Sequence, residues 1–275
     1  VTPTRRADFM LLDDLAEVRP SLVVIDGVEV SRDGSPLFEN ADPIADACYG
    51  TMRLGTRPSA ERFRVSVPEA GAEAATVRAM EMYDGYFKRA FEADLTVVDG
   101  DVRPDPTQDI AKISVLDRHH ASGAIATGFV RGFSLRAGAL AASTNCENQN
   151  LVVVGTSNED MAAAAAALSD LGGGYVAVRD GKVLASVPLP VAGIMSDAPF
   201  EAVYRDSVAV NEAARTLGCT LDSPFMILAF VGLFGIPDYG ITERGLIDSQ
   251  TQSFVPVVLC CRCPQHLHAN PYLSS

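Results

Sequence analysis

Two adjacent histidines, His119 and His120, stand between an apolar run and a glycine-punctuated one. Further on, Glu147, Asn148, Gln149 and Asn150 precede the apolar run Leu151-Val152-Val153-Val154. An imidazole moves protons near neutral pH, a carboxylate accepts them, and an amide can donate and accept at once. His119, Glu147 and Asn148 are therefore the candidate catalytic residues. The plainer reading is a core hairpin with solvated turns and a satisfied core histidine. A second candidate is Ser196-Asp197, a hydroxyl and a carboxylate just ahead of a helical pattern over 199–217. Helix capping explains the pair, and a substrate-binding pocket rim is the alternative.

Other groups carry less. Asp13-Asp14 reads as a solvated turn, and so do Asp99, Asp101, Asp105 and Asp109, whose spacing is not that of a calcium loop. Gly172-Gly173-Gly174 follows a helix and so closes it; a phosphate cradle would precede one. The tail holds Cys260, Cys261, Cys263, His266 and His268, but not at zinc-finger spacing. Nucleophile elbow, phosphate loop, dinucleotide fingerprint and zincin helix are all missing. The chain has four histidines, two adjacent and two in the tail. That supply is short of a binuclear metal site, so no metal ligand is assigned.

These groups need elements to hold them. Phe9–Leu12 and Leu22–Ile25 read as strands, with Asp26-Gly27 as a tight hairpin turn into Val28. Phe63–Val67 alternates as a strand. Val77, Met80, Phe87 and Phe91 fall at helical spacing, predicting a helix over 73–93 interrupted at Gly85. A buried strand at 151–154 leads into an Ala-rich helix over 159–171, capped by Ser157. Two strands joined by Arg179-Asp180-Gly181-Lys182 follow, then the helix 199–217. The apolar run 224–236 is too short to span a bilayer, which needs about 20 residues, and reads as a buried segment. The expected class is α/β (α+β): a mixed β-sheet with helices packed on one face, preceded by a small β-sandwich fragment. The expected division is a sandwich remnant over 1–38, a linker over 39–60, a main domain over 61–260 and a disordered tail over 261–275.

With 275 residues, 48 % hydrophobic and 21 % charged, the chain has the composition of a water-soluble globular protein. A net charge of −13 and a pI near 4.7 argue against a nucleic-acid backbone or an anionic membrane as partner, since both repel an acidic surface. Six cysteines, three of them bunched at the tail, do not form a secreted disulfide framework and point to a reducing cytoplasm. The first residues lack the apolar core of a signal peptide.

KISVLDRHH (112–120), the glycine-rich run after it, NLVVVGTSNEDM (150–161), GGGYVAVRDGKVLASVPLPVAGIMSD (172–197), LGC (217–219), DSPFMILAF (222–230) and ITERGLID (241–248) occur in this order. In that order they resemble the C-terminal domain of bacterial adenine deaminases over roughly 105–260. RRADFMLLDDLAEVRPSLVVIDGVEV (5–30) resembles the strands that follow the metal-binding barrel in amidohydrolases. The resemblance implies hydrolysis of adenine to hypoxanthine and ammonia in purine salvage, with a metal-bound hydroxide attacking C6 and a carboxylate shuttling the proton. It implies Mn or Fe in a barrel outside this chain, a cytoplasmic homodimer, and a role for this part as active-site cover. The alternative is a freestanding, non-catalytic purine-binding or interaction module. Where many members read Ala-His-Asp-Ser-His-Asn, this chain reads Asn145-Cys146-Glu147-Asn148-Gln149-Asn150, so both histidines of that motif are replaced. His119 sits at the histidine of the family's Glu-Arg-His, with Asp117 in place of the Glu.

Overall fold

The computed structural model describes residues 3–38, 43–82 and 87–263. The chain divides into two compact units, Val1–Ala45 and Asp46–Ser275. The smaller is an antiparallel four-stranded sheet of β1 (Phe9–Leu12), β2 (Pro20–Ile25), β3 (Val28–Arg32) and β4 (Ser35–Pro36), in that order. Asp26 and Gly27 both have positive φ, 52° and 78°, and give the two-residue turn whose twist matches its strands. Val24 is its buried hydrophobic residue, while Phe9, Met10, Leu11, Ile25 and Val28 are exposed. Among the described residues of this unit no other hydrophobic side chain is buried.

The larger unit is built on a ten-stranded sheet. Its strands are β5 (Ala74–Met82), β6 (Lys88–Val98), β7 (Asp101–Val102), β8 (Ile110–Leu116), β9 (Ile125–Arg131), β10 (Ala139–Ala142), β11 (Leu151–Gly155), β12 (Gly174–Arg179), β13 (Lys182–Pro188) and β17 (Val258–Arg262). They run in the order β13-β12-β10-β11-β8-β9-β5-β6-β7, with β17 pairing β5. Pairing is antiparallel except between β5 and β9. A separate three-stranded sheet, β14 (Tyr239–Thr242), β15 (Gly245–Asp248) and β16 (Ser253–Val255), packs on β8 and β9. The helices are α1 (Asn158–Asp170), α2 (Phe200–Thr216) and α3 (Pro224–Val231).

The mixed sheets with packed helices match the expected class, but the helices cover both faces. On β11, Leu151 and Val153 join Ala164, Ala165 and Leu168 of α1 in one cluster. Val152 and Val154 join Val210 and Ala214 of α2 and Leu228 and Val231 of α3 in another. Successive strand side chains point to opposite faces, so an uninterrupted apolar run means burial on both. As expected, α1 is capped by Ser157, which accepts from the Asp160 amide at 3.1 Å, and is followed by the glycine turn. Gly173 has φ 117°, and a Cβ there would lie 2.5 Å from Gly193 Cα.

Three local expectations are corrected. The predicted helix over 73–93 is the β5–β6 hairpin; Ala75, Val77 and Ala79 are buried at every second position, a period hidden by their small size. Gly85 lies outside the described residues. The predicted strand over 63–67 is a 3-10 turn at Ala60–Phe63, which buries the Phe63 ring, followed by a single bridge from Ser66 to Asp101. Asp101 is not solvated. It is fully buried and pairs with buried Lys112 at 2.7 Å, while Asn158 bonds both partners at 2.8 Å. The tail cysteines Cys260 and Cys261 lie on β17, while His266 and His268 lie outside the described residues.

Candidate functional site

The antiparallel pairing of β8 with β11 sets Leu116 opposite Leu151. The end of β8 and the start of β11 therefore lie side by side, which brings the 117–120 turn against the 145–150 turn. The tip of the β14–β15 hairpin, Glu243-Arg244, reaches the same place. Between them is a cleft of about 440 Å³ lined by Asp117, His119, His120, Glu147, Asn148, Asn150, Phe234, Thr242, Glu243, Arg244, Ile247 and Phe254. Its size is that of small-ligand pockets, and its wall is aromatic on one part and polar on another.

Asp117 organises the first turn. Burial pushes its carboxyl up, but the Ser122 hydroxyl and the backbone amides of His119, Ser122 and His120 outweigh that and hold it well below the usual carboxylate range. The amides lie at 2.9 Å, 3.1 Å and 3.3 Å. A carboxylate so committed shapes the backbone and has little left for a ligand. The half-buried His119 ring places Nε2 at 2.9 Å from the Asn148 carbonyl oxygen. A carbonyl only accepts, so Nε2 carries the proton, and in the neutral ring Nδ1, without a hydrogen-bond partner among the described residues, can accept. His120 is exposed.

The second turn is tied by its own amides. Asn145 accepts from the Glu147 amide at 3.1 Å, and Asn148 Oδ1 accepts from the Asn150 amide at 2.9 Å. Asn148 thereby keeps its NH₂ free to donate. Glu147 is exposed to the cleft, and behind it lies Lys88, 6 % exposed, whose Nζ donates to the Leu233 carbonyl. Burial pulls the Lys88 ammonium down to about 8, with the Glu147 carboxylate drawing it the other way. Arg118 fastens the turns from beneath. It is buried, donates from Nε to the Gln149 carbonyl and from Nη1 to the Ala192 carbonyl at 3.1 Å, and burial lowers its pKa.

The structure thus brings His119, Glu147 and Asn148 together. Ser196 and Asp197 do not line this cleft. Asp197 accepts from the Tyr49 hydroxyl at 3.1 Å and Ser196 from the Ala198 amide at 3.1 Å. Neither caps α2, whose N-cap is Pro199 without a side-chain bond. Sequence reading passed over Phe234, Thr242, Glu243, Arg244 and Phe254. The Glu-Arg pair is visible only as a hairpin tip, and no local signal says where that tip lands. The donor set does not fit a resident metal. Among the described residues no three His, Cys, Asp or Glu side chains converge, and in the cleft Asp117 and His119 Nε2 are already engaged.

Residues 86–253 match the family model described as the adenine deaminase C-terminal domain. The chain is 40 % identical over 260 residues to an adenine deaminase of Moorella thermoacetica, covering 94 % of this chain and 44 % of that protein. It is 42 % identical over 256 residues to one of Gluconobacter oxydans, covering 93 % and 44 %, and 40 % identical over 256 residues to one of Brucella anthropi, with the same coverage. The chain spans less than half the length of these curated relatives. By the extent of that match, across the very turns and hairpin that build the cleft, this chain belongs to the adenine deaminase C-terminal domain family.

Proposed function

We propose that this chain is the C-terminal part of an adenine deaminase, covering the site where adenine and water become hypoxanthine and ammonia in purine salvage. The observation that carries this reading is the meeting of His119, Glu147 and Asn148 in one cleft inside the family-matched segment. Deamination needs a proton taken from the attacking water and one delivered to the departing amine. His119, with Nδ1 able to accept and its ring held by the Asn148 carbonyl, is the group suited to relay it. Asn148 donates to a ring nitrogen of the purine, and Glu147 contacts the exocyclic amine. Ser196 and Asp197 serve the rim by Tyr49, apart from this cleft.

The Mn or Fe of the reaction would belong to an amidohydrolase barrel. The smaller unit, with its apolar side chains exposed, suits a sheet completed by further chain. We place the protein in the cytoplasm, in keeping with six unpaired cysteines; among the described residues no helix is long and apolar enough to cross a membrane. The exposed stripe Phe200, Tyr204 and Val208 on α2, with Val183 and Leu184 on edge strand β13, supports a homodimer.

The test mixes this chain with the metal-loaded barrel portion of a relative and follows ammonia release from adenine. Turnover in the mixture, absent from either part, is expected, with His119→Ala lowering it about 100-fold or more. A mixture no more active than the barrel alone refutes the reading, and an unchanged rate in His119→Ala refutes the role of the histidine.

A further inference from the structure

Glu243 is the one carboxylate of the cleft that the protein visibly aims. It sits half-buried at the turn between Thr242 and Gly245, and its Oε2 accepts from Asn150 Nδ2 at 2.9 Å. Asn150 is 4 % exposed, and its Oδ1 accepts from the Arg118 backbone amide at 3.2 Å. A backbone N–H can only donate, so the oxygen end of this amide is fixed, and its NH₂ end must face Glu243. The carboxylate is thus held through one oxygen. Oε1 has no protein partner among the described residues and is left to the cleft, whose apolar lining is Phe234, Ile247 and Phe254, with the Arg244 guanidinium 5.1 Å from the centre of the Phe254 ring. Asp117 is saturated by its own turn, and the Glu147 carboxylate has no hydrogen-bonded partner among the described residues to fix it, so neither offers such a preset acceptor.

We propose that Glu243, aimed by Asn150, is the specificity-determining carboxylate of this cleft: it accepts the imidazole-ring N–H of a free purine base. The proposal rests on the purine reading above and adds the residue that reads the ring N–H edge. A carboxylate accepts and cannot donate, so it selects an N–H edge. The exocyclic amine of adenine is the group that must leave, so the edge available for holding is the opposite one, where the free base carries its ring N–H. A sugar on N9 removes that hydrogen. Nucleosides and nucleotides are therefore rejected by a lost charge-assisted bond and an unpaired acceptor, not merely by crowding.

The variant Glu243→Gln tests this sharply. Asn150 presents its NH₂, so it claims the glutamine oxygen and turns the glutamine NH₂ toward the cleft, converting an acceptor into a donor at the same position. The experiment titrates adenine and 9-methyladenine into the unmodified chain, Glu243→Gln and Asn150→Ala by calorimetry, with circular dichroism confirming the fold of each. The unmodified chain should prefer adenine about 10- to 100-fold, the size of one hydrogen bond to a charged group. Glu243→Gln should bring the two ligands within about threefold by weakening adenine alone, and Asn150→Ala should fall between. A structural role for Glu243 would weaken both ligands and leave their ratio intact, and that result overturns the proposal. So do equal affinities in the unmodified chain or no saturable adenine binding. Turnover in the mixture with a barrel portion is read separately, so the deaminase reading can stand or fall independently.

Discussion

Lys88 gives the most exacting check on the electrostatics beneath the cleft. Its ammonium is 6 % exposed, and among the described residues its hydrogen-bond acceptor is a neutral one, the Leu233 carbonyl. Burial moves its pKa from 10.5 to about 8, partly countered by Glu147. At about 1.4 kcal/mol per pH unit, that gap puts the cost of holding the charge in the folded chain near 3 kcal/mol. Below pH 8 both folded and unfolded lysine are charged, so the cost is present in full. Between about 8 and 10.5 the folded state releases its proton first, and stability rises with pH until the cost is gone. Lys88→Met removes the charge while keeping the bulk, and forfeits about 1 kcal/mol of hydrogen bond to Leu233. At pH 7 the variant should therefore be more stable by about 1–2 kcal/mol, and this advantage should vanish and change sign as pH approaches about 10. The chain has no tryptophan, so urea unfolding is followed by far-ultraviolet circular dichroism. Groups common to both proteins cancel in the difference curve, which isolates Lys88. A variant less stable at pH 7, or a difference flat with pH, would show that Lys88 is not a costly buried cation.

Two further substitutions test the interior and the first turn. Asp101→Asn leaves Lys112 charged at zero exposure beside a neutral amide, and should cost about 3–5 kcal/mol in urea unfolding. Adding Lys112→Met should return a good part of it, and a single-variant loss below about 1 kcal/mol would refute the pairing. Asp117→Asn places an amide where the Ser122 hydroxyl and three backbone N–H groups require an acceptor, for a loss of about 1–3 kcal/mol at pH 7. Because the carboxyl is held below its ordinary value of 3.8, its contribution is present above that pH and fades as pH falls further. The two proteins should thus converge in acid, and a gap that stays constant below about pH 4 would refute the assignment.

The parts of the fold legible in the sequence are those whose signal is local. Asp26-Gly27 and Asp180-Gly181 announce hairpins because a two-residue turn requires two positive φ angles, and both pairs have them. Ser157 and the Gly172–Gly174 run bracket α1 for equally local reasons. The β5–β6 hairpin was misread because Ala75 and Ala79 carry the strand period in side chains too small to register. The larger Val77, Met80, Phe87 and Phe91 happen to fall at helical intervals. Helices on both faces were hidden because a run such as Leu151–Val154 says that a strand is buried, not by what.

The candidate site divides along the same physical line. His119 and Glu147 could be paired from sequence because each ends or begins a buried strand, and antiparallel neighbours place such ends together. Nothing of that kind points to Glu243, which reaches the cleft only because a separate three-stranded sheet packs on β8 and β9. Asp101 looked like a loop residue in a run of aspartates; its burial depends on Lys112 and Asn158, which arrive from β8 and α1. Polar groups give no hydrophobic period when they are buried, so their partners emerge only from tertiary structure. The consequence for the cleft is specific. Its backbone turns are held by bonds within and between the 117–122 and 145–150 segments, and its proposed selectivity rests on Asn150 meeting Glu243 across the chain. Substitutions in the turns should therefore alter stability and binding together. Substitutions at the hairpin tip should alter which ligand binds while leaving the fold standing.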